Sequence, residues 1–133
     1  MRLGETLYVH NSREAMLFYQ EAFGLTLGYH ETNPDGSFMH AELQKDGKEV
    51  FAVSESGNTV FREAMLTTKL PTMSYGIDFE TEAEIEKAYG MLRDGGHVLR
   101  ALGPLPWSPC SADVVDRFGV YWYIYIPEPH PAG

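Results

Sequence analysis

The chain has 133 residues and a mass of 15.0 kDa, the size of one domain. With 44% hydrophobic and 13% aromatic residues it can fill a core, which excludes wholesale disorder. The net charge of −9 repels phosphate backbones and anionic lipid, so neither nucleic acid nor a membrane surface is expected as a partner. A single cysteine, Cys110, cannot form an internal disulfide. Residues 1–6 lack the apolar stretch of a signal peptide, and no apolar run reaches the roughly 20 residues of a membrane helix. Together these set the expectation of a cytoplasmic protein.

Residues 6–10 read as a short strand leading into a helix. Asn11, with Glu14 three residues on, has the form of a capping box. Ala15, Phe18, Tyr19, Ala22 and Phe23 follow at helical spacing, and Gly24 supplies a left-handed stop. Strands are expected over 25–31, 37–45 and 49–54, with turns at Asn33-Pro34-Asp35-Gly36 and Asp46-Gly47. Residues 57–72 read as a connector, in which Phe61, Ala64, Met65 and Leu66 suggest a short helix. The second half repeats the order. Residues 73–79 read as a strand, Thr81 and Glu84 form a second capping box, and Ile85, Ala88, Tyr89 and Leu92 make the apolar stripe. Gly95-Gly96 ends that helix, and strands follow over 97–102, 110–116 and 120–126, the last two joined by Arg117-Phe118-Gly119.

The two halves keep register. Asn11 to Thr81, Glu14 to Glu84, Ala15 to Ile85 and Tyr19 to Tyr89 are each 70 apart, while Ala41 to Ala112 and Phe51 to Trp122 are each 71 apart. Both halves therefore read β-α-β-β-β. The expected class is α+β: one domain over 1–133, with module one at about 3–56, the connector, module two at about 73–127 and a short tail over 128–133.

Strand residues alternate between faces. Over 38–44 the rows are Met39, Ala41 and Leu43 against Phe38, His40, Glu42 and Gln44. Over 120–126 they are Val120, Trp122, Ile124 and Ile126 against Tyr121, Tyr123 and Tyr125. The wholly apolar rows belong under the helices. The opposite rows are unusually aromatic for a solvated face, which suits either a pocket for a small organic ligand or a dimer interface.

In this arrangement the chain resembles the vicinal-oxygen-chelate superfamily of glyoxalase I, extradiol dioxygenases and bleomycin-resistance proteins, and more narrowly its PhnB-like branch. The resemblance spans about residues 3–127. It is carried by Glu14-Ala15-Met16-Leu17-Phe18-Tyr19 running to Phe23-Gly24, by Met39-His40-Ala41-Glu42-Leu43, by Trp107 in its loop, and by Asp116-Arg117-Phe118-Gly119-Val120-Tyr121-Trp122. It implies paired βαβββ modules whose open, curled mixed sheet encloses a cavity, and a homodimer. Metalloenzymes of the superfamily ligate an ion from the first and last strands of each module. Carried over by these motifs, those positions are Gly4, Ala52, Ser74 and Tyr123. That set lacks the imidazoles and carboxylates a divalent ion wants, and a one-residue shift would add Glu5 without the remaining ligands. No metal and no cofactor are therefore expected.

The expected function is binding of a small organic ligand, with Tyr8, Phe38, His40, Glu42, Trp107, Asp113 and Tyr123 as candidate ligand-binding residues. His40 and Glu42 lie two apart on one strand, and Asp113 is the repeat partner of Glu42, 71 residues on. An inward carboxylate with His40 offers general acid–base chemistry, so a metal-independent or atypically metallated enzyme is the alternative. A dimeric interaction module with a vestigial pocket is a third. Trp107 lies between Pro104, Pro106 and Pro109 in what reads as a stiffened loop, and serves as an aromatic wall or as a core cap. Cys110 reads as a small buried residue. His10 either faces the cavity or serves the helix start, while His30 and His97 fall in edge-strand contexts. No phosphate-cradling glycine loop or serine-nucleophile elbow is present.

Overall fold

The structure is a computed structural model and describes residue 1, residues 3–56 and residues 73–128. The helix suggested by Phe61, Ala64, Met65 and Leu66 lies outside the described residues, as does most of the tail. The chain divides into two compact units, Met1–Thr68 and Lys69–Gly133. The first runs β1 (Thr6–Val9), α1 (Ser12–Phe23), β2 (Thr26–Thr32), β3 (Phe38–Lys45) and β4 (Lys48–Glu55). The second runs β5 (Tyr75–Asp78), α2 (Glu82–Arg93), β6 (His97–Leu105), β7 (Ser108–Val115) and β8 (Tyr121–Ile126). Each unit has one mixed four-stranded sheet, ordered β1-β4-β3-β2 in the first and β5-β8-β7-β6 in the second, and neither sheet closes into a barrel. β1 and β5 pair in parallel with β4 and β8, and the other pairs are antiparallel.

The repeat read from the sequence is a repeat of hydrogen-bond register. Thr6 pairs with Ala52 and Gly76 with Tyr123, offsets of 70 and 71. Ala41 pairs with Val53 and Ala112 with Ile124, both shifted by 71. In the first unit the stripe Ala15, Phe18, Tyr19, Ala22 and Phe23 is buried against Leu43, Phe51 and Val53. Tyr19 meets Phe51 edge-on at 5.5 Å and stacks on Phe23 at 5.9 Å. In the second unit Ile85, Ala88 and Leu92 of α2 are fully buried, with Ala112, Val114, Trp122 and Ile124. Tyr89, the repeat partner of Tyr19, is only half-buried and lies beneath the Arg93 guanidinium.

Turn chemistry follows composition. Asp46 and Gly47 have φ of 54° and 77°, the two positive values a tight primed hairpin requires. Gly24 closes α1 at φ 67°, its N–H bonding to the Gln20 carbonyl. At the β7–β8 turn, the counterpart of Asp46-Gly47, buried Asp116 accepts from the Phe118 N–H (2.9 Å), the Val120 N–H (3.1 Å) and the Trp122 indole N–H (2.8 Å). The Asp-Arg-Phe-Gly-Val-Tyr-Trp segment is thus a structural clasp.

The helix starts differ. Thr81 caps α2 as expected, its hydroxyl accepting from the Glu84 N–H at 3.2 Å and donating to the Glu84 carboxylate at 2.9 Å. Asn11 does not cap α1: it sits at φ 66° with no side-chain bond to the helix backbone, and its amide donates instead to Glu14 Oε2 at 2.7 Å. The cap comes from Glu55 at the end of β4. Its carboxylate accepts from the Asn11 N–H (3.0 Å), the Ser12 N–H (2.9 Å) and the Ser12 hydroxyl (2.9 Å). Ser12 Oγ in turn accepts from the Phe38 N–H at 2.9 Å, tying β3 into the same knot. A carboxylate on unpaired N–H groups at the positive end of a helix satisfies orphan donors and complements the dipole. Glu55→Ala should therefore lower stability by about 2 kcal/mol, whereas Asn11→Gly should cost only a few tenths. Urea denaturation of both variants checks the order.

Candidate functional site

On the face of the first sheet away from α1, strand pairing sets His40 opposite Glu31 and Glu42 opposite Ala52. His40 Nε2 lies 3.0 Å from Glu42 Oε2, both side chains partly exposed. The Tyr29 ring lies 6.3 Å from the His40 ring, and its hydroxyl donates to Glu31 at 2.6 Å. That bond is the main reason the Tyr29 hydroxyl holds its proton above the ordinary tyrosine range. Gly28 leaves room on this face for the Gln44 side chain, which a Cβ would strike at 2.3 Å. Tyr8, paired with Ser54, is exposed at the β1 edge.

Phe38 departs from this row. It is 2% exposed, with its ring beneath the Arg13 guanidinium of α1 at 5.0 Å and edge-on to His30 at 5.8 Å. The cause is a register shift between Glu31 and Thr32: His40 pairs with Glu31 but Phe38 with Thr32, so one extra residue, Met39, interrupts the alternation. Met39, expected under the helix, is correspondingly exposed. His40 and Glu42 thus come together, while Phe38 stands beside α1.

The second sheet's open face is built by the burial of Trp122 and Ile124, which turns Tyr121, Tyr123 and Tyr125 the other way. Asp113, opposite Tyr123, accepts from Arg100 Nε at 2.7 Å and from the Tyr121 hydroxyl at 2.8 Å. Arg100 also reaches Ser111 Oγ at 2.9 Å. Asp113 is therefore part of a charge-neutral network rather than a lone carboxylate. Arg100 is the residue that sequence reasoning missed, because its place opposite Asp113 depends on a register shift between Val98 and Arg100.

The Trp107 segment is not a loop. Pro104 lies in β6 and Pro109 in β7, and Pro106-Trp107 is a two-residue hairpin tip between paired Leu105 and Ser108. β6 is an edge strand, where a missing proline N–H leaves no gap in the sheet's ladder. Trp107 is 56% exposed, and its indole N–H donates to the Tyr123 hydroxyl at 3.1 Å. Tyr123 stacks on Tyr125 with centroids 4.9 Å apart and planes at 15°. Sequence reasoning placed Trp107 and Tyr123 among the site residues but left out Tyr125, which the alternation along β8 could have supplied.

The positions implied for a metal do not fit one. Gly4 and Ala52 carry no donor, Ser74 offers a neutral hydroxyl, and the Tyr123 hydroxyl already accepts from Trp107. Among the described residues no group of three or more His, Cys, Asp and Glu side chains clusters in a metal-holding arrangement. His10 is exposed and lies 3.8 Å from Glu55, at the helix start. Burial pushes the Cys110 thiol up, with Glu82 and Glu86 adding to it, which disfavours the reactive thiolate.

Burial also raises Tyr121 and Tyr125, aided by Asp113 at the first and by Asp78 and Tyr123 at the second. Both hold their protons more tightly folded than unfolded, so their contribution is full below the ordinary tyrosine value of about 10 and is lost as pH rises through and above it. The fall in thermal midpoint between about pH 9 and about pH 11 should be shallower in Tyr121→Phe and Tyr125→Phe than in the parent.

Comparison with solved structures places this architecture. The PhnB protein of Bacillus cereus superposes with a TM-score of 0.75 at 26% identity, covering 95% of this chain and 99% of that one. Protein PA1353 of Pseudomonas aeruginosa gives a TM-score of 0.75 at 23% identity, over 97% and 99% of the two chains. A glyoxalase/bleomycin resistance protein/dioxygenase family enzyme of Burkholderia phytofirmans gives 0.66 at 14% identity, over 92% and 95%. No protein-family model and no curated protein matches the chain. Two register-matched βαβββ units with mixed sheets, together with these neighbours, show that the chain has the glyoxalase/bleomycin-resistance fold and belongs to the vicinal-oxygen-chelate superfamily, beside its PhnB-like members.

Proposed function

We propose that this protein binds a small organic ligand on the open, tyrosine-lined face of its second sheet, without the divalent ion of the superfamily's metalloenzymes. The observation that carries the reading is Trp107. A large aromatic side chain is kept 56% exposed at a proline-flanked hairpin tip and is fixed by its bond to Tyr123. Rings held in place before a ligand arrives lose little conformational entropy on binding it. Tyr123 and Tyr125 extend that surface, and the Arg100–Asp113–Tyr121 network stiffens its floor. Tyr8, His40 and Glu42 are proposed as ligand-contacting residues of the first unit's own sheet; the buried position of Phe38 supports a packing role for it instead.

A second reading, a metal-independent enzyme, is favoured by one contact. Glu42 is within hydrogen-bond distance of His40 Nε2, which would orient the ring and leave Nδ1 to take a proton. Asp113 supports this reading less, since Arg100 and Tyr121 occupy it. We further propose a homodimer in the reducing cytoplasm. Support comes from the sheet edges at β2 and β6 and from the lone, unactivated Cys110.

A thermal-shift screen of small aromatic compounds tests the binding reading. Hits should raise the midpoint, and Trp107→Ala should weaken them by about tenfold, the scale of one good aromatic contact. No stabilising compound, or hits indifferent to Trp107→Ala, would refute it. A stoichiometric divalent ion whose affinity falls in His40→Ala would overturn the metal-free part.

A further inference from the structure

Several groups on the second sheet's open face are bonded to one another. The Trp107 indole N–H is donated to Tyr123, the Tyr121 hydroxyl to Asp113, and the Arg100 guanidinium to Asp113 and Ser111. What Trp107, Tyr123 and Tyr125 retain for a ligand is chiefly the faces of their rings, which are negative at the centre. The parallel register of β5 on β8 pairs Gly76 with Tyr123 and Asp78 with Tyr125. Registered partners share a face, so the Asp78 carboxylate stands beside the Tyr125 ring. Gly76 keeps the backbone bare beneath both rings: a Cβ there would come to 3.5 Å from Tyr125 and 3.8 Å from Tyr123.

Asp78 is exposed, and the ion pairs among the described residues join His10 to Glu55, His40 to Glu42 and Arg100 to Asp113, leaving Asp78 without a cation. Its charge reaches the neighbouring ring, since it opposes ionisation of Tyr125. The chain as a whole carries −9, so the long-range field has the same sign.

We propose that the ligand of this surface is an organic cation, an alkylated ammonium group seated against Trp107, Tyr123 and Tyr125 with Asp78 as its counter-charge. The proposal rests on the ligand-binding reading and specifies its chemistry. Ring quadrupoles and the carboxylate both attract such a group. A neutral ligand of the same shape gains the apolar contact alone. An anion is repelled by both.

The test compares phenyltrimethylammonium, neutral 4-tert-butylphenol and anionic 4-tert-butylbenzoate, similar in shape and different in charge. Trp107 fluorescence is the readout, with Trp107→Phe recording the background from buried Trp122. The cation should bind about 3- to 10-fold more tightly than the phenol, and the benzoate most weakly. Asp78→Asn, an exposed substitution whose folding circular dichroism checks, should lose that advantage and leave the phenol unchanged. Added salt should weaken the cation alone. Equal affinity for cation and phenol, or indifference of the cation to Asp78→Asn, would overturn the inference while leaving ligand binding intact. Failure of all three compounds to bind would overturn both.

Discussion

The second unit depends on where Trp122 goes. It is the largest side chain in that unit's core, fully buried, and its indole N–H is held by the carboxylate of Asp116 at 2.8 Å. Once a strand commits one residue to the core, period-two alternation commits its neighbours to the other side. Tyr121, Tyr123 and Tyr125 therefore face away from α2 as a set. The clasp at Asp116 and the tyrosine face are two ends of one constraint, and a one-residue slip of β8 would dismantle both.

The two units share a register and differ in how they use it. In the first, the helix is closed by Glu55 from the far end of β4, and the open face carries His40, Glu42, Tyr29 and Glu31, all titratable. In the second, the helix closes on its own Thr81, and the open face carries tyrosines, a tryptophan and a neutralised arginine–aspartate pair. Duplicated backbone geometry thus carries one titratable face and one aromatic face. The positions that the resemblance implies for metal ligands are Gly4, Ala52, Ser74 and Tyr123, which offer neither imidazole nor carboxylate. Fold and chemistry separate at those four residues.

Much of the fold was legible because its signals are local or periodic. The 70- and 71-residue offsets, the Thr81–Glu84 cap, the Asp46-Gly47 turn and the apolar row of β8 all reappear in the structure. The failures have a common cause in long-range pairing. Asn11 matched a capping pattern, but the true acceptor lies 44 positions away at Glu55. Phe38 matched the parity of His40, but a bulge opposite Thr32 breaks the alternation at Met39. Three prolines around Trp107 suggested a loop, though Pro104 lies in an edge strand that tolerates it and Pro106 at the tip of a hairpin. Arg100 went unnoticed beside Asp113 because the register shift between Val98 and Arg100 hides their pairing from any spacing rule.

The central claim is that the tyrosine face of the second unit is a binding surface. The two indole N–H signals of an ¹H–¹⁵N correlation spectrum address it directly, since Trp107 lies on that face and Trp122 in the core. On titration with phenyltrimethylammonium, the Trp107 indole signal and the amides around Tyr123 and Tyr125 should move together and saturate, while the Trp122 indole stays fixed. A spectrum that does not change, or shifts confined to the outer surfaces of α1 and α2, would contradict the account.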